Sequence, residues 1–223
     1  MESYVDNAAT TKMSDAALKA ITDTFAVYGN PSSVHRVGQQ AFAELEEART
    51  KIASLIGAQP KEIYFTSGGT EADNWALNAA AEIGRRKKKM HIISTAFEHH
   101  AILHTLDKLK KQGFEVTLLP VYDDGLVRLE DLSAAIREDT VLVTIMYANN
   151  EIGTVQPIAE IGKLCRERGV LFHTDAVQAA GHIKLDVQAQ NIDMLSLSAH
   201  KFHGPKGVGL LYCKSNVPLA IFI

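Results

Sequence analysis

Two hydrophobic periods alternate along this chain. Behind Ser14, a residue type suited to capping, apolar positions recur at helical spacing over residues 15–28 and stop at Gly29 and Pro31. A second amphipathic stretch, 37–56, runs into Gly57, as expected of a helix C-terminus. Six short apolar, β-rich runs follow, at 62–66, 91–95, 114–119, 141–146, 170–174 and 194–198. Helical patterns at 70–87, 100–112, 129–137 and 158–168 separate the first five. Strands alternating with helices of this length predict βαβ units and an α/β fold with a mostly parallel sheet. The last run, 208–213, follows its predecessor too closely for a helical crossover, so an antiparallel partner is expected there. No repeat or low-complexity linker appears, and no internal boundary is expected after about residue 15.

Composition narrows the function classes. With 23 basic and 26 acidic residues the 223-residue chain carries a formal charge of −3, which gives no footprint for nucleic acid. Hydrophobic residues at 46% and charged residues at 22% are ordinary globular usage, so disorder is excluded. No apolar run approaches the ~20 residues of a membrane span, and the start lacks a signal-peptide pattern. Two distant cysteines, Cys165 and Cys213, exclude a disulfide framework and a thiolate zinc cage and point to a reducing cytoplasm. The basic run 85–89 reads as a solvated helix end favoured by the macrodipole.

Chemistry concentrates in three segments. Phe65-Thr66-Ser67-Gly68-Gly69-Thr70-Glu71 is a strand, a glycine turn and a helix start, where backbone N–H groups can cradle an anion. It matches neither a P-loop nor a dinucleotide fingerprint. Phe172-His173-Thr174-Asp175 places Asp175 at the carboxyl end of an apolar strand, the edge where ligands of open parallel sheets collect. Ser198-Ala199-His200-Lys201 puts a lysine after another such strand. A lysine, an acid and a phosphate cradle on neighbouring strand ends suit a Schiff base with a phosphate-bearing aldehyde, the acid keeping a pyridine nitrogen protonated. His200 and His203 have a metal-compatible spacing, but no further ligand completes a site, and no metal is expected. His100 is expected to point away from its neighbour His99, and His173 and His182 to be core or surface residues.

These segments, with Asp6-Asn7-Ala8-Ala9-Thr10-Thr11, Gly29-Asn30-Pro31-Ser32-Ser33, Glu98-His99, Asn149-Asn150-Glu151-Ile152-Gly153 and Asp175-Ala176-Val177-Gln178, run in family order over nearly the whole chain. As a set they resemble the class V aminotransferase group of pyridoxal-phosphate enzymes, and within it the cysteine desulfurases. The resemblance implies the three-layer large domain of a fold type I PLP transferase over 16–223, with 1–15 a segment that in the family joins a small domain. It implies pyridoxal 5'-phosphate as cofactor and Lys201 as its covalent anchor and proton shuttle. By the same resemblance Gly69, Thr70, Ser198 and His200 hold the phosphate, and Asp175 pairs with the ring nitrogen. Gln178 then meets the ring hydroxyl, His99 stacks on the ring and aids proton transfer, and Asn150 lies beside cofactor and substrate. L-cysteine as substrate, a homodimer and a sulfur-acceptor or scaffold protein are implied too.

The resemblance also calls for a cysteine loop and a carboxylate-binding arginine beyond the 22 residues that follow Lys201, which implies a truncated, split or frame-shifted desulfurase. Cys165, on an amphipathic helix, and Cys213, ending a strand, are expected to be buried small hydrophobes rather than substitutes for that thiolate. A non-catalytic remnant acting as an interaction module and a selenocysteine lyase or other class V lyase are the alternative expectations.

Overall fold

The computed structural model describes residues 3–219. Within these residues seven strands form one sheet: β1 (Ile63–Thr66), β2 (His91–Thr95), β3 (Glu115–Leu119), β4 (Thr140–Thr144), β5 (Leu171–Asp175), β6 (Met194–Ser198) and β7 (Gly209–Cys213). Their order is β1-β7-β6-β5-β4-β2-β3, parallel from β3 through β6. As expected, β7 runs antiparallel to β6, but it also pairs antiparallel with β1, a neighbour that sequence order does not suggest.

Among the described residues six helices accompany the sheet: α1 (Asp15–Thr24), α2 (Arg36–Leu55), α3 (Gly69–Lys87), α4 (His100–Lys111), α5 (Leu129–Ala135) and α6 (Ile158–Arg168). Adjacent residues of a strand serve opposite faces. Ile92, Leu142 and Leu211 pack with α3 and α4, whereas Ile93, Val143 and Leu210 pack with α5, α6 and the end of α2. Most strands are buried along their whole length, which is why they read as apolar runs rather than alternating ones. The result is three layers.

Several predicted boundaries shift for local reasons. The helix expected over 15–28 ends at Thr24, and nothing in α1 is buried. Pro60–Glu62 forms a 3₁₀ turn before β1, with the Gln59 N–H donating to the Glu62 carboxylate at 2.9 Å. Ser14 does cap α1, accepting from the Ala17 N–H at 3.1 Å, and Gly57 does end the second helix with φ +71°. α3 closes at Lys88 in the left-handed conformation, and Arg85, Arg86 and Lys87 occupy its last turn. Of the apolar end 218–223, residues 220–223 lie outside the described residues. Among the described residues no helix is long and apolar enough to cross a membrane.

Candidate active site

Strand order decides where a site forms. β4 is flanked by β5 on one side and β2 on the other, so the loops leaving these strands diverge and open a cleft at their carboxyl ends. The cleft has a volume of about 910 Å³ and is lined by all nine residues singled out by sequence: Gly69, Thr70, His99, Asn150, Asp175, Gln178, Ser198, His200 and Lys201. They come from five different strand ends, the 190s reaching over the 60s through the antiparallel β7.

The anion cradle is built by close backbone approach. Gly68 is the extended residue before α3, and a Cβ on Gly209 would stand 2.6 Å from the Gly68 Cα. A Cβ on Gly69 would meet Val177 Cγ2 at 2.7 Å. Only glycine lets β7, the α3 N-terminus and the turn after β5 converge this tightly. The first-turn N–H groups of a 19-residue helix then face the cleft with the positive end of the dipole behind them. Glu71 does not occupy that space: its carboxylate folds back to accept from the Ser67 N–H and hydroxyl, both at 2.6 Å.

Lys201 follows β6 in a short 3₁₀ turn and is half-buried. Its Nζ donates to the Ala8 and Ala9 carbonyls, the latter at 2.9 Å. Burial lowers its pKa, against the opposing pull of Asp175 and Asp6. The amine is thus made easier to deprotonate, as a carbonyl-capturing lysine needs. Gln178 Nε2 also donates to the Ala8 carbonyl, at 2.8 Å. His200 Nδ1 lies 3.0 Å from Thr10 Oγ1, and its carbonyl accepts from the Thr11 N–H at 2.9 Å. The segment 8–11 is therefore stitched onto the lysine turn.

Asp175 is buried at the end of β5, where Oδ1 accepts from the Val177 N–H at 2.9 Å. Burial raises its pKa; the Val177 bond, His99 and Lys201 work the other way. A cationic nitrogen in the cleft would relieve that cost, which makes Asp175 a built partner for a protonated ring. His99 caps α4, its Nδ1 accepting from the Ala101 N–H at 3.1 Å. The neutral ring therefore carries its proton on Nε2. The anion cradle, the amine of lowered pKa and the buried carboxyl at the end of β5 together fit pyridoxal 5'-phosphate.

Three further groups lie in or beside the cleft, and the sequence assigns none of them a role there. Asp73, on the buried face of α3, has Oδ1 unpartnered and 3.7 Å from His173 Nε2. Burial, and then the Asp175 charge, hold its carboxyl well above the usual range. His173 is fully buried between Thr144 Oγ1 (2.9 Å) and Ser196 Oγ (3.0 Å), and burial pushes its pKa down to about 3. Glu98 is buried with Oε2 unpartnered, and burial pushes its carboxyl up to about 8. One signal was available: Asp73 stands in the apolar stripe Ala72, Ala76, Leu77 and Ala80, and a charge on a buried helix face asks for a reason.

Other residues fall outside. Cys165 and Cys213 are buried, and burial pushes both thiols up to about 12. His203 follows the 3₁₀ turn with φ +67° and places Nδ1 3.0 Å from the Lys12 carbonyl, so it shares no helix face with His200. Among the described residues no group of three or more His, Cys, Asp or Glu is arranged to hold a metal ion.

The aminotransferase class-V family model matches residues 3–220. Cysteine desulfurase IscS of Clostridium botulinum (strain Kyoto / Type A2) is 51% identical over 217 residues, covering 97% of this chain and 54% of that protein. A solved NifS-like protein superposes with a TM-score of 0.96 at 43% identity, covering 100% of this chain and 62% of the other. SspA, solved in complex with cysteine, gives 0.95 at 40% identity, with 100% and 65% coverage. The chain spans about half the length of the curated relatives it matches. Its three layers are those of the fold type I large domain. The chain belongs to the class-V aminotransferases, a pyridoxal 5'-phosphate-dependent family that includes the cysteine desulfurases.

Proposed function

We propose that this chain forms the cofactor-holding part of a cysteine desulfurase, which takes sulfur from L-cysteine and leaves L-alanine. The observation that carries the reading is the convergence of a half-buried lysine, a buried aspartate and a glycine-built helix start on one cleft. Bound pyridoxal phosphate supplies an aldehyde for amine capture and a ring that withdraws electrons. Lys201 Nζ anchors the aldehyde carbon, and its lowered pKa lets it accept a proton and return it to the substrate. Gly69 and Thr70 amides, with Ser198 and His200, hold the phosphate at the positive end of α3. Asp175 keeps the ring nitrogen protonated, Gln178 meets the ring hydroxyl, and Asn150 orients the reacting end. His99, its Nδ1 held by the Ala101 N–H, would face the bound ring and offer its Nε2 proton.

Sulfur removal breaks the substrate C–S bond. The sulfur passes to a thiolate as a persulfide, and the carbon left behind takes a proton. Cys165 and Cys213 do not line the cleft, and neither is available as a thiolate near neutrality. This favours a second reading, in which the 223 residues bind cofactor but turn over only with a thiol supplied from another segment or chain. By the same proposal the protein works in the cytoplasm as a homodimer and hands sulfur to an acceptor or scaffold protein for iron–sulfur or thio-cofactor assembly. The exposed Phe25, Tyr28 and Val34 support association, and sedimentation velocity measures it.

Titration with pyridoxal phosphate tests the core of the proposal. A new visible absorption band is expected, and after borohydride reduction the cofactor's mass is expected on Lys201. Lys201→Ala should abolish both, and an unchanged spectrum in the parent would sink the cofactor reading. Sulfide release from cysteine by the chain alone would overturn the requirement for an outside thiol.

A further inference from the structure

Glu98 and Asn149 each directly precede a cleft residue, His99 and Asn150, and each reaches across to the other's loop. The β2–β4 ladder stops at Ile93 and Val143. Beyond it, side chains continue the connection. Glu98 Oε1 accepts from Thr95 Oγ1 at 2.6 Å and from the Met146 N–H, past the end of β4, at 3.0 Å. In return Asn149 Nδ2 donates to the Phe97 carbonyl at 3.0 Å. Its Oδ1 meanwhile accepts from the Glu151 and Ile152 N–H groups, at 2.8 and 3.0 Å, shaping the turn that carries Asn150. Both side chains are buried.

We propose that Glu98 and Asn149 are positioning residues forming a reciprocal clasp that sets the separation of His99 and Asn150 across the cleft. The inference rests on the reading of His99 and Asn150 as cofactor-facing, but the clasp itself exists without cofactor. A carboxyl in this place works as a neutral acceptor. Its Oε2 has no hydrogen-bond partner, and the charged groups around it, Asp73 on α3 and Asp175 at the end of β5, are themselves acids. Burial and those acids favour the protonated form. A glutamine, whose amide oxygen accepts in the same position, is therefore expected to replace it, and an alanine is not.

Two readouts test this. By hydrogen exchange on the cofactor-free protein, Glu98→Ala should speed exchange of 96–99 and 145–152 on the order of tenfold, the equivalent of one buried hydrogen bond. The central strands should stay unchanged, and Glu98→Gln should restore the parent rate. In the pyridoxal-phosphate-loaded protein, Glu98→Ala should change the visible circular dichroism of the bound cofactor, as His99→Ala does, and Glu98→Gln should not. Unchanged exchange in Glu98→Ala overturns the clasp. Faster exchange with parent-like dichroism overturns its positioning role, and a glutamine no better than alanine overturns the neutral-acceptor argument. Should Glu98→Ala fail to fold, Thr95→Val and Asn149→Ala each remove one bond of the clasp and are judged by the same two readouts. If the parent takes up no pyridoxal phosphate, the functional reading fails while the exchange measurement still decides the clasp.

Discussion

At the amino ends of β3 and β4, Glu115 and Asp139 stand in solvent around Arg137, whose guanidinium donates to both carboxylates at 2.6–3.0 Å. Bonds from Arg137 hold both acids below their ordinary pKa. At the carboxyl ends of the same sheet, Asp175, Glu98 and Asp73 are buried beside one another, and burial drives all three upward. One end of the sheet has charges already matched to cations and water. The other holds acids for which burial outweighs the pull of Lys201, and they gain from a further cation that arrives. Carboxylates left in the second condition mark where a ligand completes the electrostatics.

The sharpest way to break this contrast is Asp175→Asn, which keeps the shape and the Val177 bond but removes the charge. Breaking a buried charge pair costs about 3 kcal/mol or more. The variant should therefore lose at least about a hundredfold in pyridoxal phosphate affinity, read by titration of the visible band. Without cofactor the effect should reverse. The raised pKa of Asp175 means that the folded parent keeps a proton the unfolded chain releases, so its stability falls as pH rises past the ordinary carboxylate range. Asparagine has no such slope, and thermal melts should show it the more stable protein there. Equal affinity for cofactor in both proteins would remove Asp175 from the proposed site.

Glu98 sharpens the comparison through pH alone. With its carboxyl pushed up to about 8, the folded chain again binds a proton that the unfolded chain loses near 4.5. Stability should thus decline between those two values and level off above about 8. Glu98→Gln removes this slope. Measured relative to the parent, its stability should rise between pH 4 and pH 9 by at most about 5 kcal/mol, roughly 1.4 kcal/mol for each pH unit between the two values. Identical pH–stability curves in denaturant would mean that the carboxyl is not held neutral.

The element sequence of this sheet was legible because buried parallel strands read as apolar runs, and β2, β6 and α6 carry the predicted bounds. Strand order was less so. That β7 inserts between β1 and β6 is set by Gly209 nestling against Gly68, a contact between residues 141 positions apart. The nine cleft residues were legible because each belongs to a motif at a strand end. Glu98 stands inside the Glu98-His99 motif and Asp73 two residues beyond the glycine turn's Glu71, yet neither gives much sign of its surroundings. A glutamate before a histidine is ordinary until Met146 and Thr95 are found converging on it. For His173 the sequence supports no more than a core or surface residue, because its two hydroxyl partners come from β4 and β6, neighbours that only the sheet order reveals.

The smallest effect belongs to the matched end. Arg137→Ala removes bidentate bonds to both Glu115 and Asp139, the most extensive ion-pair arrangement on the described surface, yet every member is solvated. Exposed pairs gain little because water already stabilises the separated charges. The acids there have lowered pKa values, so whatever the pairs contribute is present above the ordinary carboxylate range and is lost as pH falls through it. Arg137→Ala should barely move the melting temperature at pH 7. What change there is should vanish in molar salt and at low pH, and cofactor affinity should not change. A large, salt-insensitive loss of stability would show that the amino ends of the strands depend on this cation as the carboxyl ends depend on theirs, and the contrast between the two ends would collapse.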